Sequence, residues 1–180
     1  MSVPVPDTPE TASLRRSLKA AGARASPPEQ THITLRFLGD VDSSKVDAVE
    51  ASVAEAVRGV DSFAVRLSGV GAFPNTRRPS VVWIGAEPAD VLTGMADRLA
   101  SGLASRGIPF DSKPFRAHVT VGRCRDGLRS PGIFEEYRGK AFAEFQCTEV
   151  LVVRSVLEPS GARHSVLRRV PLGRFCGENI

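Results

Sequence analysis

Two short stretches, "HITLRFLG" at 32–39 and "HVTVGRC" at 118–124, follow one pattern. Each runs His, a β-branched residue, Thr, another aliphatic residue, and then an arginine four or five positions after the histidine. The chain has only 3 histidines, and two of them stand at the head of these segments. A pattern placed twice in one chain predicts a doubled unit, and the surrounding sequence repeats in the same order.

In the first half, "SVPVPD" reads as a short strand closed by prolines. A helix follows in "TPETASLRRSLKAAGA", with Thr8 as its N-cap, Pro9 in its first turn and Gly22 at its end. "QTHITLRFL" alternates as a strand. "SSKVDAVEASVAEAVRGV" carries valines at three- and four-residue steps behind Asp42 or Ser43 as cap, and "FAVRLSGV" is again a strand. The second half opens on the strand "SVVWIGAEPAD". The helix "DVLTGMADRLASGLASRG" follows, with Leu92, Met95, Leu99 and Leu103 on one face and Gly107 at its end. A proline-bearing loop leads to the second His-x-Thr strand, then to a short helix in "SPGIFEEYRG" and one long strand, "FAEFQCTEVLVVRSV". "RHSVLRRVPL" supplies a closing hairpin partner. One domain over 1–180 is expected, made of repeats at approximately 1–73 and 79–155 with a closing strand at approximately 163–171. The first strand is shorter than its counterpart, so the recorded start is expected to fall inside that strand.

Along a strand, residues i and i+2 face the same way. His32 and Thr34 therefore share one face, as do His118 and Thr120, while Ile33, Leu35, Val119 and Val121 face a core. If the two halves are related by a pseudo-twofold axis, two imidazoles and two hydroxyls meet across a cleft. Imidazole ionises near neutral pH, so one can take a proton while the other gives one. The hydroxyls, with Arg36 and Arg123, can bond phosphoryl oxygens. A single His in a strand usually has no such role; two in equivalent places do not fit that explanation, because an unpaired polar residue turned to a core costs several kcal/mol. Two histidines without Cys or carboxylate at ligand spacing make a poor zinc site, so no metal is expected.

Of 24 basic residues nearly all are arginine, which suits an anionic ligand but also reflects codon composition. Cys124, Cys147 and Cys176 are odd in number and lack CxxC spacing, which argues against a disulfide framework or structural zinc. No apolar run approaches the ~20 residues of a membrane span, and no signal peptide is visible, so a cytoplasmic protein without membrane contact is expected.

The paired motifs, with "FLG" after the first, "GVGAFPNTRRPSVVWIG" in the middle and "LEPSGARHSVLRRVPL" near the end, resemble the 2H phosphoesterases. The branch they are most similar to is the RNA 2',3'-cyclic phosphodiesterases, historically called 2'-5' RNA ligases. The resemblance implies an α+β bilobal fold, with two antiparallel or mixed sheets flanking a central groove and helices outside. It implies hydrolysis of a 2',3'-cyclic phosphate to a 2'-phosphomonoester without cofactor or metal, and a 2'-5' joining reaction known from the family. By the same resemblance His32 is the proton donor to the leaving 3' oxygen, His118 the proton acceptor that activates water, and Thr34 and Thr120 hold the phosphate. The implied partner is RNA ending in a 2',3'-cyclic phosphate, tRNA fragments among the candidates, bound by a monomer. His164 stands where an aromatic such as Tyr is common in the family, and lacking the His-x-Thr context it reads as a groove-edge or surface residue. Arg77 and Arg78, with Arg15, Arg16, Arg168 and Arg169, are candidate RNA-backbone contacts or simply a solvated basic face. Trp83 reads as core. Two other readings stay open: a phosphodiesterase of small nucleotides such as 2'-5' oligoadenylates or cyclic ADP-ribose derivatives, and a non-catalytic module binding RNA ends.

Overall fold

A computed structural model describes residues 1–130, 132–158 and 161–173. Among these residues nine strands and four α-helices follow one another as β1 (Ser2–Pro4), α1 (Pro9–Ala20), β2 (Arg24–Ala25), β3 (His32–Thr34), α2 (Val46–Val57), β4 (Phe63–Phe73), β5 (Val81–Glu87), α3 (Ala89–Ser105), β6 (His118–Arg123), α4 (Ile133–Glu136), β7 (Ala141–Cys147), β8 (Glu149–Glu158) and β9 (Gly161–Pro171). Cys176 lies outside the described residues.

The helices form where apolar spacing and caps agree. Thr8 caps α1 in a reciprocal box: its hydroxyl accepts from the Thr11 backbone N–H at 3.2 Å, and Thr11 Oγ1 accepts from the Thr8 N–H at 3.0 Å. In α3, Leu92, Met95, Leu99 and Leu103 are fully buried, one stripe at helical period. Asp42 accepts from the Ser44 N–H at 2.8 Å in the single 3₁₀ turn that leads into α2.

The strands form a mixed α+β structure around one curled sheet, ordered β7-β4-β5-β6-β3-β1-β8-β9, with β2 on the side of β6 and every ladder among the described residues antiparallel. The two halves of this sheet join along β3 and β6, where Ile33 pairs with Val119. The sheet also curls back on itself. At one end Ser62 N–H donates to Gly173 O and Gly173 N–H to Val60 O, both at 2.9 Å, which ties the start of β4 to the chain just beyond β9. Val3, Ile33, Val82, Ile84, Val119 and Val121 pack on the face covered by helices, leaving the other face of the central strands to form the groove.

Two strands depart from the alternation pattern. "QTHITLRFL" forms a ladder only over His32–Thr34, because its continuation meets the first residue of the chain: the Leu35 and Arg36 N–H groups both reach Met1 O, and the terminal amine donates to Arg36 O at 2.7 Å. "FAEFQCTEVLVVRSV" is two strands rather than one. Phe145 and Cys147 turn inward in β7, but Val150 and Val152 do so in β8, so the inward phase changes between Cys147 and Val150. A change of phase needs a bulge or a break, and here the strand breaks at Thr148, sending β7 beside β4 and β8 beside β1.

Candidate active site

The Ile33–Val119 pair sets the centre of the site. Antiparallel register places His32 across from Thr120 and Thr34 across from His118, all four on the face opposite the buried Ile33 and Val119. Each histidine thus faces the threonine of the other motif. The imidazoles stand on a diagonal of this square, where cross-strand Cβ atoms are roughly 7–8 Å apart. That gap suits one tetrahedral phosphoryl group touched from both sides.

The two rings are held alike. His118 Nδ1 lies 2.6 Å from the Arg116 carbonyl, two residues back. A carbonyl can only accept, so Nδ1 carries the proton, and in the neutral ring Nε2 keeps its lone pair. His32 is hydrogen-bonded in the same sense by the Gln30 backbone, also two residues back. Around His118 the groove wall is aromatic: the Phe73 ring meets it edge-on at 5.0 Å and Trp83 at 6.3 Å. Beside His32 stands His164 of β9, ring centroids 5.2 Å apart. The hairpin carrying His164 is pinned by Gln30 Nε2 donating to Ala162 O at 2.5 Å.

Burial lowers the pKa of both imidazoles. His32 falls to about 4, from desolvation first and then from the neighbouring His164 and the terminal amine. His118 is lowered by desolvation, against the opposing effect of its Arg116 bond. An anion bound between them reverses this trend, because the charged form of each imidazole then gains a partner.

Arg36 does not face the groove with the square, contrary to the expectation from its spacing. Counting i+4 from His32 assumes a continuous strand, but β3 ends at Thr34, and Arg36 turns into the protein at 8% exposure. Its guanidinium donates to Ala96 O at 3.1 Å, Lys113 O at 3.0 Å and Asp97 Oδ1 at 3.1 Å, and stands 5.8 Å from the centre of the Phe110 ring. It ties the chain after β3 to α3 and to the loop before β6, rather than offering a phosphate contact. Arg36→Lys keeps the charge but cannot make the fork, so it should destabilise the protein by about 1–3 kcal/mol while leaving KM unchanged. Urea unfolding and kinetics check this, and a raised KM with unchanged stability would return Arg36 to the groove.

Arg123 reaches the groove face by a route the sequence conceals. Trp83 pairs with Thr120 but Val82 with Gly122, so Val121 is an extra residue in β6. Val121 is buried, and a Cβ on Gly122 would lie 3.2 Å from Leu18 of α1, so two consecutive residues face the core. After this bulge Arg123 returns to the side of His118 and Thr120. Trp83, read as core, also lies on the groove face: Val82, Ile84 and Ala86 are the buried set of β5, and Trp83 alternates with them. Its ring lies across Gly71, where any Cβ would come within 2.2 Å of it.

A family model, the 2'-5' RNA ligase superfamily, matches residues 3–158. The chain belongs to this superfamily. Among its relatives, the RNA 2',3'-cyclic phosphodiesterase of Archaeoglobus fulgidus is 36% identical over 156 residues, covering 86% of this chain and 87% of that protein. The one from Aquifex aeolicus is 33% identical over 150 residues, covering 81% and 80%. The crystal structure of TT0787 of Thermus thermophilus superposes with a TM-score of 0.73 at 28% identity, covering 96% of both chains. As a superfamily member with a curled antiparallel sheet, the chain has the α+β fold that its paired motifs imply. No helix of the described residues is long and apolar enough to cross a membrane.

Proposed function

We propose that this protein is an RNA 2',3'-cyclic phosphodiesterase that opens the cyclic phosphate to a 2'-phosphomonoester by two-histidine acid–base catalysis. The observation that carries the reading is the cross-strand square, in which each His-x-Thr histidine faces the other motif's threonine around the Ile33–Val119 pair. The names borne by the Archaeoglobus and Aquifex relatives support the substrate class.

The cyclic phosphate sits between the imidazoles, its non-bridging oxygens accepting from Thr34 and Thr120 Oγ1, with Arg123 further along the groove face of β6. His118 Nε2 takes a proton from water as the water oxygen bonds to phosphorus. The bond from phosphorus to the 3' oxygen breaks, and His32 gives its proton to that oxygen, leaving a 3' hydroxyl and a 2' phosphate. Since His32 is neutral in the free protein at neutral pH, it takes up its proton with the anionic substrate. The same steps, with an RNA 5' hydroxyl attacking phosphorus in place of water and giving its proton to His118, would form a 2'-5' bond. The protein acts alone, and fragments of cleaved tRNA are among the ends it would accept.

Product analysis tests this. An oligoribonucleotide ending in a 2',3'-cyclic phosphate, incubated with the protein and excess chelator, should yield the 2'-phosphate alone. A 3'-phosphate product would refute the assignment of the leaving oxygen, loss of turnover restored by zinc would refute metal-independent catalysis, and binding without turnover would leave an RNA-end-binding module.

A further inference from the structure

We infer that the end of the groove beyond Thr120 is a second phosphate site, which takes the internucleotide phosphate on the 5' side of the reacting terminal nucleoside. This rests on the phosphodiesterase reading and adds to it the direction in which the RNA strand leaves the catalytic square.

Arg123 is returned to the groove face by the Val121 bulge, and it pairs directly with two neighbours, Val81 on β5 and Arg24 on β2. The β4–β5 hairpin closes over the same end. Phe73 pairs with Val81, Ser80 N–H donates to Phe73 O at 2.8 Å, and Ser80 O accepts from Cys124 N–H at 2.9 Å. This places the hairpin tip, with exposed Arg77 and Arg78, beside the residue that follows Arg123. The tip is ordered rather than loose: Asn75 Oδ1 accepts from the N–H groups of both Arg77 and Arg78 at 3.0 Å.

Several arginines elsewhere are paired with carboxylates, while others, such as Arg16 and Arg66, have no carboxylate partner among the described residues. Arg15 pairs with Asp7, Arg36 with Asp97, Arg168 with Asp47 and Glu50, and Arg169 with Glu149. Among the described residues Arg77, Arg78 and Arg123 have no carboxylate partner. The step from Thr120 to Arg123 spans two β5 residues, Trp83 to Val81, or about 6.7 Å of strand, a distance suited to neighbouring phosphates of one strand. A mononucleotide 2',3'-cyclic phosphate has no such second group. The ligand class is therefore an RNA strand at least two nucleotides long, and this end of the groove selects it over a cyclic mononucleotide.

The test compares wild type with R77A/R78A on a 2',3'-cyclic mononucleotide and on an oligoribonucleotide with the same cyclic end, over a range of KCl. The variant should lose about tenfold in kcat/KM on the oligonucleotide and keep its rate on the mononucleotide. The slope of log kcat/KM against log salt for the oligonucleotide should fall by about 0.7 for each contact removed. An unchanged oligonucleotide rate and slope, or equal losses on both substrates, would overturn the second site. If wild type hydrolyses neither substrate, the phosphodiesterase reading fails and the site is tested by binding alone, with the anisotropy of a fluorescein-labelled oligoribonucleotide carrying a terminal 3' phosphate. Weaker binding to R77A/R78A than to wild type would support the site, and equal binding would overturn it.

Discussion

His32→Ala and His118→Ala should each lower kcat/KM on a cyclic-ended oligoribonucleotide by about 10²–10⁴, the scale of one positioned acid or base. The losses should not multiply. Acid and base act in one transition state, so the double variant should be little worse than the poorer single one. Both histidines flank the buried Ile33–Val119 pair but face the groove, so the variants should stay folded and bind the oligonucleotide. Thr34→Val and Thr120→Val should cost less, since a neutral hydrogen bond to a phosphoryl oxygen is weaker than proton transfer. Rates that multiply in the double variant would mean that the imidazoles act in separate steps.

The pH profile gives the second large effect. Productive free enzyme needs one imidazole charged and the other neutral. His32 is depressed to about 4 and His118 is also below the ordinary 6.5, so kcat/KM should be bell-shaped with its optimum on the acid side of 6.5. Above that optimum it should fall tenfold per pH unit, and both limbs belong to the coupled pair rather than to either residue. In the complex, the bound anion raises the imidazole pKa values, so kcat should hold to higher pH than kcat/KM. Stability follows with its own sign. Between about 4 and 6.5 the unfolded chain protonates His32 and the folded protein does not, so stability is complete above 6.5 and declines as pH falls towards 4. A monotonic rise of kcat/KM with pH would indicate a single base or a metal-bound hydroxide.

The four residues of the square were legible because strand period and duplication point the same way: one face carries His and Thr, the other Ile33 and Val119. The helices were legible from Thr8, Pro9 and the stripe from Leu92 to Leu103. What stayed hidden depended on pairing partners. Arg36 lies beyond the point where β3 loses its ladder, so counting by twos fails there. Arg123 depends on a bulge visible only in the register with β5. Trp83 could have been assigned to the groove from its alternation with Val82, Ile84 and Ala86, had its size not suggested core. The break at Thr148 was also present as a phase change, but no Gly or Pro marks a turn there, which masked it. No local pattern places His164 beside His32, because that contact is made by a hairpin distant in sequence.

Changing the leaving group distinguishes His32 as proton donor from His118 as proton acceptor. On a substrate whose 3' oxygen is replaced by a better leaving group, less protonation is needed. His32→Ala should recover much of its lost rate on that substrate while His118→Ala stays impaired, because water still needs its base. Equal rescue of both variants, or rescue of His118→Ala alone, would contradict it.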